Sequence, residues 1–257
     1  MPCTFSHPAA VLPLRRFCPG LLDFTALVIG SITPDLGYYT HTFAAATFAH
    51  TLTGSAVICL PSGIMLYFLF LWAREPVCHI LPAPHMQALL PLCRKTPPFL
   101  PMRWLSVSIS VILGAWTHIL WDSFTHPTGW FVQRIAFLRE PLPGVETDIR
   151  GYYVLQQLST LAGAGIIAFT YWKWLKNHRV APRSGSNDGS LYLLWAGLAA
   201  IALVFSIPPA LKMSGLFTGY TAFRVFIFRT GVYFVSILIP LIVIAAFAID
   251  FRRKRSA

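Results

Sequence analysis

Histidine and aspartate recur at intervals of four in the stretch GAWTHILWDSFTH, residues 114–126: His118, Asp122 and His126. Residues four apart share a helix face. The three therefore form one polar stripe, with about 6 Å between neighbours along the axis. The stripe closes an apolar run, where an ionisable group costs several kcal/mol unless it is paired or coordinated. Imidazole beside carboxylate is the ligand chemistry of zinc and other divalent ions. Pro127 follows directly, so the helix is expected to end there or one residue earlier.

Three further groups sit at the ends of apolar segments. His7 opens FSHPAAVLPLRR, Asp35 follows Pro34, and His50 precedes the run that starts at Thr51. Each has a plain role as well: a helix start, a turn former, a cap. A turn at Pro19-Gly20 would return His7 toward Asp35. His7, Asp35, His50, His118 and Asp122 are then expected to converge at one membrane face, as ligands of a divalent metal. Asp122 is assigned as ligand or general base, and His126 as a neighbouring proton carrier. His41 is a weaker candidate ligand. His79, His85 and His178 fall in expected inner loops and read as solvated. Trp116, Trp121 and Trp130 read as an interfacial belt.

The elements that must position these groups are membrane helices. Of 257 residues, 56% are hydrophobic and 11% charged, whereas a soluble domain carries about 25% charge. A bilayer crossing needs about 20 mostly apolar residues. Runs at 51–72, 105–123, 153–175, 191–211 and 225–249 qualify. Residues 5–17 and 21–36 form two shorter apolar segments: either the second crosses alone as a sixth span, or the two form a partly inserted hairpin unit. The fold class is thus all-α: a polytopic membrane helix bundle of about six spans plus a short N-terminal helix. Residues 1–257 read as a single integral membrane domain, with a polar-motif half (1–130) and an apolar three-span half (153–251).

Formal net charge is +11. The basic residues lie between apolar runs, which is the pattern of cytoplasmic loops and argues against nucleic acid as a partner. Arg252-Arg253-Lys254-Arg255 puts the C-terminus in the cytoplasm. Arg15-Arg16, loop 74–104 (Arg74, Arg94, Lys95, Arg103) and loop 176–190 (Lys176, Arg179, Arg183) fall on the same side. Loop 124–152 balances Arg134, Arg139 and Arg150 against Glu140, Glu146 and Asp148 and falls outside, so the polar stripe ends at the outer face.

Cys3, Cys18, Cys59, Cys78 and Cys93 are odd in number and form no CxxC pair, so neither a disulfide framework nor a zinc ribbon is expected. The N-terminus lacks the basic start and the A-x-A site of a signal peptide. Residues 181–190 read as a flexible linker, and the seven prolines of loop 74–104 make that loop irregular. LAGAGIIA, 161–168, suits close helix packing.

The segments FSHPAAVLPLRR, ALVIGSITPDLGYY, FAHTLTGS and GAWTHILWDSFTHPTGW, in that order, resemble a bacterial multi-spanning family catalogued as domain of unknown function 4184. The resemblance covers most of the chain. It implies a multi-pass protein of the bacterial inner (cytoplasmic) membrane and no defined activity. The motif order is also similar to that of membrane-bound metal-dependent hydrolases, a group likened to zinc-dependent phospholipase C. That group shows an early His, a P-D-x-D, an H-R-G-x-T-H-S and an S-H-x-x-x-D. His7, Pro34-Asp35, His50-Thr51 and His118 with Asp122 match parts of these. Gly37 replaces the second Asp, and the Arg-Gly and first His of the third motif are missing, which argues against a two-metal mechanism.

Three functions fit these residues. The first is a membrane-embedded metal-dependent hydrolase of a lipid or lipid-linked phosphoester, with membrane lipids as surroundings and substrate source and zinc as its ion. The second is a non-enzymatic scaffold or assembly protein whose polar cluster locks helices together. The third is a transporter, which the near absence of acids and histidines in the last three spans disfavours.

Overall fold

The computed structural model describes residues 4–18, 20–95, 101–142, 149–178 and 188–255. Cys3, Pro19, Pro97, Pro98, Glu146, Asp148, Arg179, Arg183 and linker positions 181–187 lie outside the described residues. The described chain is helical. Its one extended pairing is an isolated bridge between Pro141 and Arg150.

Among the described residues, four helices are long and apolar enough to cross a membrane: Leu52–His79, Met102–Arg134, Asp188–Ser214 and Gly219–Arg255. They mark the chain as a membrane protein. The 28 residues of the first span about 42 Å, against a hydrocarbon core of about 30 Å. The sequence reading of six spans is reduced at two places. Residues 153–175 do form one long helix, α10 (Gly151–Asn177), but it falls outside the four apolar enough to qualify. Residues 21–36 do not form a span.

That second segment is broken by its own residues. Asp23 caps α1 (Phe24–Gly30) by accepting from the Ala26 amide at 2.9 Å. The helix stops after seven residues, about 10 Å of rise. Pro34 lacks an amide hydrogen, so it cannot donate an α-helical bond back to Gly30. A 3-10 turn (Thr33–Asp35), α2 (Leu36–Tyr39) and α3 (Phe43–Ala49) follow. The broken backbone is satisfied locally: Ser31 Oγ donates to the Val28 carbonyl and Thr33 Oγ1 to the Gly30 carbonyl, both at 2.8 Å. Non-helical backbone at membrane depth is tolerated only where protein buries it; Ser31, Thr33, Pro34 and Asp35 are all buried. The N-terminal segment Thr4–Phe17 is likewise a 3-10 helix, with Pro8 and Pro13 inside.

The chain divides into two compact units. The first comprises Met1–Phe68 and Pro98–Lys173. Its central contact is α1 against α7 (Pro101–Thr125), and glycine makes that contact close. A Cβ on Gly30 would lie 2.2 Å from the Val111 carbonyl oxygen, and one on Gly114 2.3 Å from that of Leu27. Small residues let membrane helices approach backbone to backbone. The start of α1 is held by a polar lock: Arg103 and Tyr67 both donate to Asp23 Oδ2, at 3.1 and 3.0 Å. In the same unit Gly163 of α10 lies where a Cβ would be 2.8 Å from the Ser6 carbonyl oxygen.

The second unit comprises Leu69–Pro97 and Trp174–Ala257. It contains α11 (Asp188–Ser214) and α12 (Gly219–Arg255), which pack together across the four-residue turn 215–218. The last turns of α5 (Leu60–His79) and the short α6 (His85–Arg94) also belong here. Within this unit Cys78 is paired with Cys93, a pairing that the odd and scattered cysteines did not announce. His79 is not a solvated loop residue. It ends α5, and its Nδ1 lies 3.2 Å from Asp250 Oδ1.

Candidate metal centre

The α1–α7 contact sets the register of the site. His118 lies one turn beyond Gly114, so close packing at Gly114 brings its ring to the end of α1. There its Nδ1 donates to the Ser31 carbonyl at 2.8 Å. Asp122 follows one turn later on the same face. Asp35 arrives on the 3-10 turn that Pro34 creates. His50 caps the C-terminus of α3, and its Nδ1 donates to the Ala46 carbonyl at 2.7 Å. Thr51 then starts the next helix, α4 (Leu52–Gly54), by accepting from the Gly54 amide. That helix continues through a π turn, Ser55–Cys59, into α5.

Asp35, His50, His118 and Asp122 thereby form a cluster able to hold a metal ion, with one ligand atom from each lying within 4.8 Å of all the others. His50 Nε2 is 3.4 Å from Asp35 Oδ1 and 3.3 Å from Asp122 Oδ2. His118 Nε2 is 3.6 Å from Asp35 Oδ1 and 3.2 Å from Asp122 Oδ2. Charge-assisted N–H···O bonds run at about 2.7–2.9 Å, and all four contacts are longer than that. Tetrahedral bonds of about 2.0–2.1 Å put ligand atoms about 3.3–3.4 Å apart, and the four contacts bracket that value.

The donor chemistry agrees. A carbonyl only accepts, so each Nδ1 carries a proton, and Nε2 is the nitrogen left facing the carboxylates, where a metal would take its lone pair. His118 Nε2 and Asp35 Oδ1 are buried without a hydrogen-bond partner. The other oxygen of Asp35 is held: Thr4 Oγ1 donates to Oδ2 at 2.6 Å, and Tyr39 donates to Thr4 at 2.8 Å. Two imidazoles and two carboxylates, with His118, His50 and Asp35 each anchored from behind, fit a divalent ion. Burial pushes the Tyr38 hydroxyl up to about 12, with the Asp35 and Asp122 carboxylates adding to the shift, so Tyr38 stays a neutral phenol beside the cluster.

His7 lies next to these four. It is buried, with its ring stacked on His118 at 3.7 Å between centroids. Its Nε2 is 3.6 Å from Asp122 Oδ1, and neither ring nitrogen has a hydrogen-bond partner. His126 lies just past the end of α7 at Thr125, partly exposed, with Nδ1 3.3 Å from Asp122 Oδ1. The structure therefore brings His7, Asp35, His50, His118, Asp122 and His126 together, and Asp122 touches all four imidazoles. His41 is exposed in a left-handed turn, with φ 59°. His79, His85 and His178 belong to the other unit. Trp121 meets His7 edge-on at 6.3 Å, and Trp116 donates to Ser55 Oγ at 3.0 Å.

The chain matches, over residues 1–247, the model of a family described as a domain of unknown function, DUF4184. It belongs to that family. No curated protein and no solved structure matches it. In this family member the position after P-D-x is Gly37, where a Cβ would fall 2.6 Å from the Ala46 amide nitrogen. The close approach of α2 to α3 leaves no room there for a second aspartate. Thr4, Tyr39 and the Ser31 carbonyl support the ligands but were not singled out in the sequence. Hydroxyls and carbonyls are too common along a chain for spacing to mark them.

Proposed function

We propose that this protein is a membrane-embedded, metal-dependent hydrolase acting on a lipid or lipid-linked phosphoester. The reading rests on one observation: four potential ligand atoms from chain positions 35 to 122 lie within 4.8 Å of one another, with imidazole–carboxylate contacts of 3.2–3.6 Å. Asp35, His50, His118 and Asp122 would hold the ion, and the mixed imidazole–carboxylate set suits zinc. A bound divalent ion supplies Lewis acidity toward a phosphoryl oxygen and lowers the pKa of water.

The chain's own residues do the rest. The Ser31 and Ala46 carbonyls orient the two imidazoles, and Thr4 orients Asp35. His126 stands at the accessible edge on Asp122 Oδ1, where it can carry a proton between Asp122 and the surroundings. An apolar cleft of about 350 Å³ lies on the neighbouring face of α7, between Leu52, Trp116, Leu120 and Phe131. Leu52 is two residues from His50, and Ser123, also lining the cleft, is next to Asp122. The cleft suits an acyl chain.

By charge distribution the protein belongs in the bacterial inner (cytoplasmic) membrane, with its C-terminus in the cytoplasm and the centre at the outer face.

The test is elemental analysis of the purified full chain, beside H118A and D122A, with release of phosphate or headgroup from a labelled phospholipid as the activity readout. About one equivalent of metal in the wild type, lost together with activity in both variants, is expected. Absence of stoichiometric metal, with chelator changing neither stability nor turnover while D122A unfolds the protein, would leave the scaffold reading instead.

A further inference from the structure

The second unit carries its own charged cleft, of about 510 Å³, at the basic ends of α5 and α12. Its lining includes Trp72, Arg74, Glu75, Arg94, Phe247 and Lys254. The anions are already engaged. Glu75 accepts from Arg94 Nε at 3.0 Å. Asp250 faces Lys254 Nζ at 2.7 Å and His79 Nδ1 at 3.2 Å. Arg74 donates from one terminal nitrogen to the Lys95 carbonyl at 2.6 Å. Three cations thus face two carboxylates, and Arg252, Arg253 and Arg255 share the last turn of α12 with Lys254. A guanidinium has five N–H donors, so one partner each leaves Arg74 and Arg94 capacity for an anion.

The other half of the cleft is aromatic. Trp72 and Phe247 stack at 4.1 Å, and Phe251 stands one turn on. Trp72 and Phe251 are more than half exposed. Cations beside exposed rings in one cleft, at the ends of two helices long and apolar enough to cross a membrane, match a headgroup phosphate above its acyl chains. Tryptophan is enriched at that level, and basic pockets between spans bind anionic headgroups there. A free phosphate would use the cations and leave the rings without purpose.

We propose that this cleft binds an anionic phospholipid, with the phosphate on Arg74, Arg94 and Lys254 and the acyl chains along Trp72 and Phe247. The site is independent of the metal centre and does not need that reading to hold.

The experiment uses the full chain in neutral detergent, titrated with phosphatidylglycerol, with phosphatidylcholine and with inorganic phosphate, and read by native mass spectrometry and thermal shift. Phosphatidylglycerol is expected to bind and raise Tm. K254Q and R94Q should each weaken it roughly fivefold, about 1 kcal/mol per cation near a lipid surface. Phosphatidylcholine should not distinguish wild type from variant, and phosphate should not shift Tm. K254Q alters an exposed tip and should keep the helical circular dichroism signal, so the test survives if R94Q misfolds. Equal binding of phosphatidylglycerol by wild type and K254Q, equal protection by phosphatidylcholine, or protection by phosphate alone would each overturn the proposal.

Discussion

His118 reaches back to Ser31, eighty-seven residues earlier in the chain, and donates from Nδ1 to its carbonyl at 2.8 Å. That bond ties the end of the broken N-terminal segment to α7 and turns Nε2 toward Asp35 and Asp122. The carbonyl is available because α1 ends at Gly30. The ring reaches it because Gly30 and Gly114 let the two backbones touch.

Substituting Gly114 by valine should therefore damage the site from a distance. The new side chain would start 2.3 Å from the Leu27 carbonyl oxygen, and overpacking of this kind costs about 1–3 kcal/mol. A lowered Tm together with reduced bound metal is expected in G114V. Unchanged metal content would show that the helix contact does not set the ligand geometry.

Thr4→Val removes the 2.6 Å donor to Asp35 Oδ2 while keeping the shape. Groups that support a ligand from behind are typically worth 10–100-fold in metal affinity, so a loss of about that size is expected in competition with a chelating dye. Tyr39→Phe, one step further out, should lose less. Equal affinities for all three proteins would mean that Asp35 is not a ligand.

His126→Gln should separate binding from turnover. His126 contacts Asp122 Oδ1 and lies outside the four-residue ligand set. Metal stoichiometry should stay near wild type while turnover falls, by about 10²–10⁴-fold if the ring transfers a proton. Loss of metal in this variant would instead make His126 a ligand.

Metal removal should cost stability. Without an ion, Asp35 and Asp122 are two buried carboxylates facing imidazoles at 3.2–3.6 Å, longer than a strong charge-assisted bond. A ligand that binds only the folded state stabilises it by mass action. Chelator should lower Tm, and zinc added in slight excess should restore it. D122N should show a smaller chelator effect than the wild type. A Tm indifferent to chelator in wild type would count against a bound ion.

The helical class was legible because it rests on local chemistry. Apolar runs of spanning length give long helices wherever nothing interrupts them, and Leu52–His79, Asp188–Ser214 and Gly219–Arg255 follow their runs. The polar stripe was legible for the same reason, since a spacing of four is a helix property and Pro127 ends the helix near Thr125. The run at 21–36 misled because composition counts apolar residues without weighing the Pro34 and Ser31 that break the backbone. His79 misled because its partner, Asp250, is far away in the chain.

Which residues could bind a cation was thus decided by side-chain type and periodicity alone: imidazoles and carboxylates placed where an apolar run makes them expensive. Which of them meet, and at what distance, was decided only by tertiary contact. Glycine at positions 30 and 114 permits the helix crossing, Gly37 closes α2 on α3, and the Thr4 hydroxyl and Ser31 carbonyl aim the ligands. These contacts join positions tens of residues apart through short-range forces, and short-range forces leave no periodic trace along a chain.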